Sequence, residues 1–298
     1  MVALLLRGFE PDSGLTAIAN KRSRDVEKRS STDLKLYALG PSICSQRARL
    51  IIEEKGLSYD EHTVDFSRSE NLEPWYLDIN PRGVVPSITE NGQSLFDSYT
   101  IMLYVNNQFI GPELTPDDDA AYEKMIDYMK RADHFPVRDF AFRFSLQDDQ
   151  EMDDADMWRL FMHDNVVAAR EKRPELKHIY DKKIEDYNSM EKTATSEEDM
   201  AALEADCNKV MDELDAALGK HKWIVGDDFS LADISWMPIF TRLSMMGIPV
   251  YGEDMRPNIN RFILQWLERP TWASAVEGHY MDMVDQMERM KVQLGKNT

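Results

Sequence analysis

The sequence predicts an α+β protein in which a small mixed-sheet domain is followed by an all-helical one. Three observations predict it. Between residues 34 and 108 the apolar spacing switches repeatedly between a strand period and a helix period. Gly111-Pro112 and Thr115-Pro116 then break the chain, and no convincing strand pattern follows them. The length of 298 residues, 43% of them hydrophobic, is enough for two cores.

Residues 1–33 mix six Lys/Arg with five Asp/Glu and many Ser without periodicity, and are expected to be a flexible leader. Its opening apolar run is short for a signal peptide, and its acids argue against a mitochondrial presequence. Leu34 to Leu39 alternates like a strand, Gly40-Pro41 punctuates, and Ser42 to Lys55 repeats apolar residues at Ile43, Leu50 and Ile51, a helical spacing that Gly56 stops. A second strand is expected over Ser58–Phe66 and a short helix over Glu70–Asp78. Strands over Val84–Ile88 and Ser94–Phe96 meet at Asn91-Gly92, the strongest two-residue hairpin signal. A helix from Asp97 to Gln108 completes the order β-α-β-α-β-β-α over residues 34–112, which describes a thioredoxin-like domain. Residues 113–298 read as helical, with Gly219, Gly226, Gly247 and Gly252 as stops and a mobile loop beginning within Glu191–Glu204. Phe229-Ser-Leu-Ala-Asp-Ile234 has the form of a capping box, Ser230 with Asp233, flanked by a hydrophobic staple.

The formal net charge is −19. So large an acidic excess disfavours nucleic acid and anionic membrane surfaces, both of which demand clustered Lys and Arg. Residues 113–215 hold 14 Lys/Arg against 29 Asp/Glu, so most of the charge belongs to the start of the helical domain and an insertion at about 145–215. That stretch is expected to be a solvated, anionic outer surface. Two cysteines form no disulfide scaffold, the six histidines show no metal-ligand spacing, and no metal is expected; a cytoplasmic location fits.

Three short stretches carry candidate chemistry. Pro41-Ser-Ile-Cys-Ser-Gln-Arg47 lies where the first strand hands over to the first helix. There the amides and positive dipole end favour a thiolate, Ser42 can donate its hydroxyl to one, and Cys44 falls in the first turn. Arg47 replaces the second cysteine of a Cys-x-x-Cys pair, which argues against dithiol chemistry. Asn80-Pro-Arg-Gly-Val-Val-Pro-Ser-Ile88 is expected to hold Val85–Pro86 as a cis bond and to leave Val85 as an edge for an added peptide strand. Phe96-Asp-Ser-Tyr-Thr-Ile101 opens a helix where Ser98 can bind a carboxylate and Asp97 an ammonium group. Each has a plain alternative: Ser42 and Asp97 or Ser98 as caps only, Cys44 as a small buried residue, Pro86 as an ordinary loop-to-strand proline. Taken in order, the three describe a receptor for a cysteine-containing peptide with a γ-glutamyl end, the form of glutathione.

On these residues the chain resembles the cytosolic glutathione transferase superfamily over residues 34–112, and again from Lys222 to Trp272 through Trp223-Ile-Val-Gly-Asp-Asp-Phe-Ser-Leu-Ala-Asp-Ile234. Ser42-Ile-Cys-Ser45 is similar to a motif of the zeta class and of tetrachlorohydroquinone dehalogenase, and Asn80 to Pro86 to the bacterial β-etherase transferases. The long helical insertion is similar to that of the ganglioside-induced differentiation-associated proteins, whose C-terminal membrane anchor has no counterpart in Met281–Met290 and the polar residues after it. The resemblance implies glutathione as co-substrate, Ser42 and Cys44 as catalytic residues, and Val85, Pro86, Asp97 and Ser98 as glutathione-binding residues. It further implies a small apolar electrophile of aromatic type as second substrate and a homodimer. Conjugation, dehalogenation or ether cleavage is the activity expected, with zeta-type cis-trans isomerisation or a non-catalytic binding module as alternatives. Val84 departs from the Lys or Gln of many relatives. Aromatic residues from Tyr122 to Phe144 are expected mainly to pack the core, with some facing the second substrate.

Overall fold

The computed structural model describes residues 14–30, 33–146, 163–248 and 255–279. The described residues up to Thr115, with Ala273–His279, form one compact unit, and Pro116–Trp272 another.

In the first unit the strands are β1 (Leu34–Ala38), β2 (Asp60–Thr63), β3 (Ser87–Glu90) and β4 (Gln93–Phe96), in the order β2-β1-β3-β4. β1 pairs in parallel with β2 and antiparallel with β3, which places Leu36 beside both Glu61 and Ile88. Helices α1 (Gly14–Ala19), α2 (Ile43–Glu54), α3 (Pro74–Ile79) and α4 (Ser98–Gln108) accompany the sheet. Leu34, Leu36, Ala38, Ile88 and Leu95 are buried together with Leu50 and Ile51 of α2 and Ile101, Met102 and Val105 of α4. Full burial of each such Leu, Ile, Val or Met side chain contributes about 1.5–3 kcal/mol. Asn91 and Gly92 both take positive φ, at 49° and 76°, in a two-residue loop that fixes Glu90 opposite Gln93.

The strand read as Val84–Ile88 begins three residues later. Backbone around Val84 is engaged by side chains instead, as described below. The segment read as a flexible leader is also different from expectation over its described part. α1 packs on α4, with Leu15 and Ala19 buried, and Asn107 of α4 donates to the carbonyls of Ile18, Ala19 and Lys21. Arg29 pairs in a parallel bridge with Phe109. A charged, aperiodic segment is held here by polar contacts that leave no hydropathy signal.

After α4, Gly111 takes a φ of 142° where a Cβ would lie 2.5 Å from the Lys55 carbonyl oxygen, so only glycine fits. Lys55 closes the same turn by donating to the carbonyls of Asn106 (3.3 Å) and Pro112 (2.8 Å). Its burial lowers the ammonium pKa to about 8.

The second unit contains α5 (Asp119–Asp133), α6 (Val137–Ser145), α7 (Asn165–Lys172), α8 (Lys177–Thr195), α9 (Glu197–Leu218), α10 (Leu231–Met245) and α11 (Pro257–Leu267); α12 (Pro270–Ala275) follows. α10 is buried from Leu231 to Phe240 and packs on α5, where Trp236 Nε1 donates to the Tyr128 carbonyl at 3.0 Å. α6 packs on α8 through Phe142, Tyr187, Met190 and Ala194. The loop expected within Glu191–Glu204 is instead a one-residue break. Thr195 ends α8 and Ser196 starts α9, its hydroxyl accepting from the Asp199 amide at 3.1 Å while Ala194 and Met200 are buried on either side. The window is polar because one helix stripe suffices to bury it. Glu185, Glu191, Glu197, Glu198, Glu204 and Asp206 are exposed, as a solvated acidic surface requires; residues 147–162 of the insertion lie outside the described residues, as do Met281–Met290.

Candidate glutathione site

The site is built from the turn before α2, the loop before β3 and the turn before α4, all in the first unit. Ser42 caps α2. Its Oγ accepts the Ser45 amide at 3.3 Å and its carbonyl accepts the Gln46 amide at 2.8 Å. A serine hydroxyl that accepts still has its own proton to donate. Cys44 is half-buried in the first turn and forms no disulfide. Two contacts hold this turn from behind: Ser45 Oγ accepts the Leu39 amide at 3.2 Å, and the buried Arg49 donates to the Gly40 carbonyl at 3.4 Å. Arg49 is itself fixed by the Glu61 carboxylate of β2, with contacts of 2.5 to 3.0 Å. Tyr37 belongs to an aromatic cluster with His62, Trp75 and Tyr76, at ring separations of 5.8, 6.0 and 6.2 Å.

The Val85–Pro86 bond is cis. No hydrogen bond among the described residues uses the backbone amide or carbonyl of Val85, which is half-buried and ends its loop just short of β3. The residue before it is tied down twice. Tyr76 Oη donates to the Val84 carbonyl at 2.7 Å and Asn80 Nδ2 does so at 2.6 Å. Both also reach Ser87 Oγ, at 3.2 and 3.1 Å. Asn80 Oδ1 accepts the Arg82 amide at 3.0 Å and Asn71 holds the Gly83 carbonyl at 2.8 Å. Tyr76, Asn80 and Ser87 are fully buried, so this network fixes the loop from within the unit. Sequence reading missed all three. The available signal was Asn80 before a proline, a position from which an asparagine side chain bonds its own backbone two residues on. The Val84 side chain is 40% exposed.

At the start of α4, Asp97 takes φ 79°, a region that favours glycine, and its carboxylate accepts both the amide (3.1 Å) and the hydroxyl (2.7 Å) of Thr100. Ser98 is 2% exposed, and its Oγ has no hydrogen-bond partner among the described residues. A buried hydroxyl left unpaired costs about 1–3 kcal/mol, so its persistence calls for a reason. The structure therefore places all six sequence-derived residues, Ser42, Cys44, Val85, Pro86, Asp97 and Ser98, in three turns of one unit, at ends of β1, β3 and β4 that the sheet pairing brings together.

A Glutathione S-transferase, N-terminal domain family matches residues 41–108, and the Glutathione S-transferase, C-terminal domain family matches residues 158–270. The chain belongs to the glutathione S-transferase family. It is similar to the tetrachloro-p-hydroquinone reductive dehalogenase of Sphingobium chlorophenolicum, 28% identical over 82% of this chain and 95% of that one. It is also similar to glutathione S-transferase TCHQD of Arabidopsis thaliana, 23% identical over 84% of this chain and 91% of the relative. Among solved structures, the β-etherase LigF of Sphingobium sp. strain SYK-6 shares the fold, with a TM-score of 0.59 and 23% identity, covering 81% of this chain and 98% of LigF. The glutathione S-transferase thus pairs the mixed four-stranded sheet of its N-terminal part with a helical C-terminal part, and its co-substrate is glutathione. Among the described residues no group of three or more His, Cys, Asp or Glu could hold a metal ion, and no helix is long and apolar enough to cross a membrane.

Proposed function

We propose that this glutathione transferase binds glutathione across the three turns and transfers its sulfur to an apolar aromatic electrophile, with removal of a halide or aryloxide leaving group. The observation that carries the reading is the buried, unpaired Ser98 Oγ beside the Asp97 carboxylate: the γ-glutamyl carboxylate would pair with the first and the ammonium group with the second. The Val85 amide and carbonyl would pair with the tripeptide backbone beside Pro86. The thiolate would lie at the start of α2, taking a hydrogen bond from Ser42 Oγ and favoured by the helix dipole.

In substitution, the glutathione thiol loses its proton to solvent and the thiolate sulfur attacks the carbon bearing the leaving group. The C–S bond forms, and the C–halogen or C–O bond breaks with its electron pair on the leaving group. Cys44 favours a second step, because it stands two residues after Ser42 in the same turn. Its thiolate attacks the sulfur of a glutathione conjugate, the C–S electron pair passes to carbon and is protonated, and Cys44 is left disulfide-bonded to glutathione. A second glutathione thiolate then restores Cys44 and leaves as glutathione disulfide. The reducing cytoplasm that supplies glutathione and a homodimer belong to the same proposal.

Turnover on a panel of haloaromatics and aryl ethers tests it. Ser42→Ala should cut the rate of substitution on every substrate. Cys44→Ala should leave substitution and halide release intact, abolish formation of the reduced product in which hydrogen replaces the leaving group so that the glutathione conjugate accumulates, and remove a glutathione adduct otherwise detectable on Cys44 by mass spectrometry. Absence of glutathione binding in calorimetry would sink the reading.

A further inference from the structure

Residues 14–30 do more than pack against α4. Arg29 donates from both terminal nitrogens to the Glu90 carboxylate, at 2.6 and 2.7 Å, and Glu90 is 1% exposed. Tyr104 Oη donates a short hydrogen bond to the same carboxylate. Glu90 is the last residue of β3, whose other end follows Pro86, and Tyr104 lies two turns into α4, whose first residue is Ser98. Arg29 is fixed in turn: its amide donates to the Gln108 carbonyl at 2.9 Å, its carbonyl accepts the Ile110 amide at 3.1 Å, and its guanidinium lies 5.2 Å from the Phe109 ring centre. Nearby, Ser23 and Lys28 donate to Glu113 just past α4.

We infer that Arg29 is a positioning residue for glutathione: by clamping Glu90 of β3 to Tyr104 of α4 it sets the spacing between Val85 and the Asp97–Ser98 turn. This rests on the placement of glutathione proposed above. A bidentate guanidinium–carboxylate pair fixes both distance and plane, which a point charge does not. Among the described residues no other cation reaches Glu90, so losing Arg29 leaves a buried carboxylate to protonate or to move toward water. Either outcome lets the β3–β4 hairpin shift against α4. The hairpin leads directly into Asp97, so the shift arrives at the glutathione contacts without any contact between Arg29 and the tripeptide.

The test measures glutathione Kd by calorimetry, KM and kcat with a chloro-nitroaromatic, and Tm, all on the full chain. Arg29→Met should raise Kd and KM for glutathione about threefold to thirtyfold, the range of indirect coupling, while kcat at saturating glutathione stays within about twofold. Arg29→Lys should recover part of the loss. The double variant Arg29→Met with Glu90→Gln removes charge from both sides and so keeps the fold in hand; it should still bind weakly. A folded Arg29→Met or double variant that binds glutathione as tightly as the wild type, with only Tm lowered, overturns the inference and leaves the proposed function standing. A wild-type chain that binds no glutathione overturns both.

Discussion

Two helix starts in this protein use the same residue types to opposite ends. At α10, Ser230 and Asp233 form a capping box in which the Asp233 carboxylate accepts the Ser230 amide at 2.8 Å, the Ser230 hydroxyl at 2.9 Å and the Ile224 amide at 2.9 Å. Both residues are buried and the donors around the carboxylate are used up. At α4, Asp97 caps from a left-handed backbone, and the adjacent Ser98 hydroxyl is buried with nothing to bond among the described residues. A saturated terminus holds the fold together. One with a buried group unspent has given up stability, which a ligand of the kind proposed for this turn would return.

The largest effect should come from breaking the saturated end. Asp233→Ala removes the cap and orphans buried donors at Ser230 and Ile224, so stability should fall by about 3–5 kcal/mol, read by chemical denaturation. Asp233 also carries a pH signature. Burial pushes its carboxyl up to about 6, against hydrogen bonds that favour the carboxylate. Its folded value then lies above its unfolded one, so its contribution is full below about pH 4 and is lost as pH rises through about 6. Asp233→Asn should therefore remove a decline in stability between pH 4 and 6 that the wild type shows.

The open end should respond in the reverse sense. Ser98→Ala should leave stability unchanged or slightly raised, since it removes an unpaired buried hydroxyl. Glutathione affinity should fall about tenfold to a hundredfold, the worth of one hydrogen bond to a charged group. A Ser98→Ala protein that loses stability but keeps affinity would make Ser98 a packing residue and erase the contrast between the two termini.

Both termini were visible in the sequence as helix starts, because Ser and Asp before an apolar run are local signals. The sequence also gave up the hairpin at Asn91-Gly92 and the proline before β3, each fixed by one or two residues. What it hid is non-local. Arg29 finds Glu90 across 61 positions, and Asn107 finds the α1 carbonyls across more than 80, so the leader read as flexible. Tyr76, Asn80 and Ser87 meet only once α3 and β3 are in place. Polar partners at such separations leave no period to detect, whereas the apolar cores that do leave one were read correctly.

The smallest effect separates cap from charge at Asp97. Asp97→Gly loses the carboxylate, yet glycine is itself tolerated at an N-cap at a cost of a few tenths of a kcal/mol and relieves the φ of 79°. It also loosens the unfolded chain, by about 0.5–1 kcal/mol. These terms oppose one another, and net stability should change by less than about 0.5 kcal/mol. Asp97→Asn keeps a side-chain oxygen for the Thr100 amide and should be equally stable. If Asp97 holds the glutathione ammonium, both variants should weaken binding severalfold in calorimetry, and the asparagine variant as much as the glycine. If only the cap matters, the asparagine variant should bind like the wild type, and the difference between the two helix starts would reduce to Ser98 alone.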